Sequence, residues 1–109
     1  MASAEDLRRL ALALPGVQAH PHFDRVAFKA RVTFATLAPD GLSANFKFSA
    51  DQQALKTTVA PDAFSRLPNA WGAKGWTLGR LEALSEADLA DALKLAYGRA
   101  SHRPTKRPK

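Results

Sequence analysis

The sequence predicts an α+β domain in which helices pack on one face of an antiparallel β-sheet, in the order α-β-β-β-β-α-β-α. Three observations carry this. Apolar residues recur at helical spacing behind capping residues near both ends, and residues 17 to 48 alternate apolar with polar. Both tryptophans fall in one stretch, WGAKGWTLGRLEAL, from Trp71 to Leu84. Tryptophan buries more surface than other side chains, so this stretch is expected to lock the last strand against the helices. A chain of 109 residues, 46% hydrophobic and 24% charged, has the size and composition for a single core.

Ser3 with Asp6 has the pattern of a capping box, and Leu7, Leu10, Ala11 and Leu14 follow at helical spacing until Pro15 and Gly16 stop the helix. A first strand is expected from Val17 to His22, at a sheet edge because Pro21 cannot donate to a ladder. Val26, Phe28 and Ala30 alternate with Arg25 and Lys29, then Val32, Phe34 and Thr36 alternate with Thr33 and Ala35 after a tight reversal. Pro39, Asp40 and Gly41 form a turn, and Leu42, Ala44, Phe46 and Phe48 resume the apolar face. The polar face of this meander shows Lys29, Thr33, Ser43, Asn45 and Lys47.

Ser49 caps a second helix, with Leu55 and Val59 expected inward until Pro61 ends it. One further helical turn is expected over 62 to 67, burying Phe64, then a loop marked by Pro68, Asn69 and Gly72, and a strand from Gly75 to Arg80. Ser85 and Asp88 repeat the capping pattern before Leu89, Ala92, Leu93, Ala96, Tyr97 and Ala100, the stripe of a last helix. The folded domain is thus read as 1–98, and 99–109 as a basic, disordered tail.

Charge is unevenly placed along the chain. Arg99, Arg103, Lys106, Arg107 and Lys109 stand in the tail without an acid, whereas the preceding residues hold 11 bases and 10 acids. The body is nearly neutral and the tail can hold phosphates, as Lys29, Arg31, Lys47, Lys74 and Arg80 can on the hairpins and sheet. A last helix that opens with Glu86, Asp88 and Asp91 is a poor major-groove reader.

Chemistry-bearing patterns are few. The absence of cysteine excludes disulfides, thiolate metal sites and cysteine nucleophiles. His20 and His22 share one side of an extended segment, but no thiolate or carboxylate cluster completes a metal site, so they read as a structural pair. The acids fall in first helical turns or on exposed helix faces, the serines are caps, and no GxSxG, GxGxxG or Walker sequence is present. The expectation is a non-enzymatic protein with no cofactor and no metal. The apolar run near the N-terminus is too short and interrupted for a signal peptide or membrane span, so a cytoplasmic monomer is expected.

HPHF at 20–23, VTFATL at 32–37, the PDG turn, NFKF at 45–48 and WGAKGWTLGRL at 71–81 together resemble the MmcQ/YjbR family. The most specific part is the cluster of Trp71, Gly72, Lys74, Gly75 and Trp76, to which Phe23 of HPHF adds. The resemblance implies a CyaY-like, frataxin-like fold and duplex DNA as partner, gripped by two strand-and-loop wings. The matching wing positions are Lys29 and Arg31 on one hairpin and Lys74 and Arg80 around the tryptophan strand. Frataxin relatives bind iron through an acidic first helix, but here Glu5 and Asp6 are accompanied by Arg8 and Arg9, so iron is not carried over. The alternative is a non-catalytic module that receives a protein or small ligand on the sheet face or in the groove beside Trp71 and Trp76.

Overall fold

The computed structural model describes residues 1–101. Helix α1 (Ala4–Leu12) starts at the expected capping box, with Ser3 Oγ accepting from Asp6 N and Asp6 returning a bond to Ser3 N. The chain then builds β1 (Gln18–His22), β2 (Arg25–Lys29), β3 (Thr33–Leu37) and β4 (Ser43–Lys47) as an antiparallel meander. α2 (Ala50–Val59), β5 (Phe64–Arg66), α3 (Asn69–Ala73) and β6 (Trp76–Arg80) follow, and α4 (Glu86–Ser101) closes the fold. The six strands form one antiparallel sheet in the order β1-β2-β3-β4-β6-β5. α1 and α4 pack on one face over Phe28, Phe34, Phe46 and Phe48, which are buried completely or nearly so. This is the α+β architecture expected.

Several local departures have identifiable causes. Residues 64–66 are a strand paired with β6, and Phe64 sits opposite Gly79, whose missing side chain admits the rings of Phe46 and Phe64. Where a loop was expected, α3 forms one turn, opened by Asn69 Oδ1 accepting from Trp71 N at 3.1 Å. A register shift at Phe28 and Lys29 breaks the alternation of β3, so Phe34 and Ala35 are both buried and Thr36 lies on the opposite face beside Asn45. Helix α2 exposes Leu55 and Val59 and buries Gln53 instead, whose amide donates to the carbonyls of Gly72 and Trp76 and to Thr77 Oγ1. Helix α4 continues to Ser101, so Arg99 stands on its last turn.

The register also defines two ends. The β2–β3 turn, the end of β4 and the start of β6 lie at what we call the upper end, as Lys29 pairs with Thr33 and Lys47 with Trp76. α1 and α4 both rise toward it: Ala2 N donates to the carbonyls of Leu81 and Leu84 below, and the Tyr97 hydroxyl donates to Pro15 O above.

Candidate nucleic-acid interface

Five of the expected phosphate-binding bases, scattered in sequence, stand at the upper end, Arg99 among them on the last turn of α4. Lys29 ends β2, Arg31 lies in the turn that follows, Lys47 ends β4, Lys74 precedes β6, and Arg99 is on the last turn of α4. Lys47 Nζ donates to the Lys74 carbonyl oxygen. Burial, then the like charges of Arg99 and Lys74, hold the Lys47 ammonium below the ordinary lysine pKa. Such a group gains from a bound anion, which removes the repulsion and resolvates the charge.

Acids take the other end. Glu5, Asp6, Asp24, Asp40, Asp62, Glu82, Glu86 and Asp88 lie in first turns or loops there, Asp91 sits mid-helix paired with Lys56, and Asp51 alone among the ten acids stands at the upper end. Arg80 belongs to the acidic end, 3.4 Å from Glu82 and from the Asp62 carbonyl oxygen. Arg103, Lys106, Arg107 and Lys109 lie outside the described residues.

The face of the sheet left uncovered by α1 and α4 holds a second feature. His22, Arg25, Thr36, Asn45, Leu67, Trp71 and Trp76 line a groove of about 190 Å³. The tryptophans therefore do not lock β6 to the core helices; they stand on the opposite side of the sheet, with Trp71 59% exposed. Register accounts for this, because Thr77 and Gly79 take the inward positions of β6 and leave Trp76 and Leu78 outward. Arg25 is fixed across the groove by Nε to Thr36 Oγ1 at 2.9 Å and Nη2 to Thr36 O at 3.3 Å. Lys74 Nζ lies 5.5 Å from the Trp71 ring centroid, joining the groove to the basic end.

This fold is also that of Deinococcus radiodurans protein DR2400, a crystal structure with a DUF419 domain, at a TM-score of 0.76. The alignment covers 89% of this chain and 77% of that one at 19% identity, which establishes common architecture alone. No family model matches the chain. No curated protein matches it by sequence.

The glycines of the tryptophan cluster are structural. A methyl at Gly72 would overlap the Leu67 carbonyl oxygen, and one at Gly75, which has φ +105°, would overlap that of Phe48. Phe23 occupies the first position of the two-residue β1–β2 turn at φ +58°, 94% exposed, with its ring 4.9 Å edge-on from His22. That position favours glycine. Phe23→Gly is expected to raise stability by about 0.5–1 kcal/mol, the relieved strain outweighing glycine's extra chain entropy. Thermal unfolding should register this as a rise of roughly 2–5 °C.

Arg25, Thr36 and Arg66 had no sequence signal as site residues. Arg25 and Thr36 are 11 residues apart and become neighbours only through the bulged β2–β3 pairing. Arg66 comes near the upper end only because β5 is a strand, paired with Thr77. His20 and His22 lie exposed on edge strand β1. Among the described residues, no three His, Cys, Asp or Glu side chains are placed to hold a metal ion. No helix among them is long and apolar enough to cross a membrane.

Proposed function

We propose that the domain binds duplex DNA through its phosphates, upper end first, as a cytoplasmic, monomeric, non-enzymatic protein akin to the MmcQ/YjbR family. The observation that carries this reading is the end-to-end difference in charge, with Lys29, Arg31, Lys47, Lys74 and Arg99 beside the single acid Asp51 at one end and, at the other, eight acids that outnumber Arg8, Arg9, Arg25 and Arg80 among them. Such a domain approaches a polyanion in one orientation. At the upper end, the end of β2 and the start of β6 are three strand spacings apart, roughly 14 Å. That reach matches phosphates flanking a major groove about 12 Å wide. The family affinity is supported by the HPHF, NFKF and WGAKGWTLGRL segments together with the architecture shared with the DUF419 domain.

Salt dependence tests the reading. For a chain ending at Ser101, five phosphate contacts predict a slope of log affinity against log salt of about −4 to −5. The full chain, with four further bases beyond Ser101, should be steeper by about 3–4. Fluorescence anisotropy of a labelled duplex across a salt series measures both. A folded, shortened chain with a slope near zero would end the reading.

A further inference from the structure

We infer that the outer-face groove seats a single nucleobase, with the attached phosphate held by Lys47 and Lys74. The inference rests on the phosphate-binding role given to the upper end, and adds a ligand that a fully paired duplex does not offer. Three observations converge on it. First, both tryptophans of the chain border one cavity, and Trp71, beside Lys74, still leaves much of its apolar surface in water. Flat rings stack on such surfaces whatever their sequence.

Second, the polar groups among the lining residues are Arg25, His22, Thr36 and Asn45, which together offer donors and acceptors. Arg25 is already oriented by two hydrogen bonds to Thr36, so little ordering remains when a ring edge arrives. Base edges present alternating donors and acceptors to groups of this kind. Third, size and charge agree. A volume of about 190 Å³ falls below the ~300–1,000 Å³ of pockets for larger ligands and suits one ring system. Lys47 follows Asn45 on the same face of β4, and Lys74 overhangs Trp71, so cations stand where the ring's phosphate would emerge.

The same chemistry comes from a free nucleotide or from an unpaired base in a strand, and one titration separates them. The full chain is titrated with dAMP, with a short duplex carrying one unpaired adenine, with the same duplex fully paired, and with deoxyribose 5-phosphate. Because both tryptophans border the groove, their fluorescence reports its occupancy directly. Saturable quenching by the unpaired-base duplex or by dAMP, and none by the paired duplex or the sugar phosphate, is the expected result. Tighter binding of the unpaired-base duplex identifies a strand as the source, and equal binding a free nucleotide. Trp71→Ala should weaken binding about 5- to 150-fold, the range for one lost stacking partner, with Trp71→Phe restoring most of it. Trp71 is exposed, so circular dichroism of both variants should match the parent. Paired duplex bound by anisotropy, with no quenching from any probe, overturns the groove while leaving the basic end in place. Quenching by dAMP without duplex binding upholds the groove and removes the duplex instead. Equal quenching by paired and unpaired duplexes, or a Trp71→Ala variant that binds as well as the parent, also overturns it.

Discussion

Gly75→Ala is expected to lower the unfolding free energy by about 3 kcal/mol or more, the class of effect reserved for backbone conflicts. Two independent penalties act there. The φ of +105° is one that L side chains rarely adopt, and the new methyl would overlap the Phe48 carbonyl oxygen. The neighbour cannot yield cheaply, because it is backbone, and Phe48 N donates to Gly75 O at 3.1 Å in the same contact. That bond ties the end of β4 to the start of β6, so the damage reaches the loop that carries Lys74 and the groove wall at Trp76. Gly98→Ala is the matched control. Gly98 lies within α4, where an added methyl would meet nothing within 4 Å among the described residues apart from its own helix, and glycine is a poor helix former, so the change should stabilise by about 0.5–1 kcal/mol. Urea unfolding of the pair should therefore give opposite signs for the same chemical substitution. Equal effects would show that local backbone geometry is not what separates them.

What was legible in the sequence is what local chemistry decides. Ser3 with Asp6 and Ser85 with Asp88 signal helix starts because the bonds they make span three residues. The alternation of Ala44, Phe46 and Phe48 against Ser43, Asn45 and Lys47 needs only the period of a strand, and the structure places each on the side expected, whereas Leu42, expected with them, precedes the strand and is exposed. What stayed hidden depends on partners far along the chain. The bulge between β2 and β3 is a property of two strands, so the burial of both Phe34 and Ala35 has no trace in β3 alone. Gln53 reads as a surface residue until the carbonyls of Gly72 and Trp76, some twenty residues on, need a donor. The tryptophans show the limit most directly. Their burial tendency argued for the core, whereas register with Lys47 and Asn45 turns Trp76 to the face that the core helices leave open. The basic end was legible as residues and illegible as a surface, since Lys29, Lys47, Lys74 and Arg99 are each 18 or more positions apart.

Replacing Lys29, Lys74 and Arg99 together by glutamine is expected to weaken duplex binding about 10²–10³-fold near 0.1 M salt and to flatten the salt slope by about 2.7, since each lost contact removes about 0.9. The three side chains are exposed, so the fold should change by no more than about 0.5 kcal/mol. Lys47 is left out because its ammonium also holds the Lys74 carbonyl, and its loss would mix a structural effect with an electrostatic one. Arg80→Gln supplies the comparison at the opposite end. There the guanidinium already faces Glu82, in a region whose other acids repel phosphate, so binding should stay within about two-fold of the parent. The contrast matters more than either value. A net positive charge acting at large would respond to four removed cations in proportion, wherever they stand. A domain that docks by one end responds to three and ignores the fourth. Equal losses per charge at the two ends would reduce the interaction to unspecific attraction and leave the polarity of the molecule without a role.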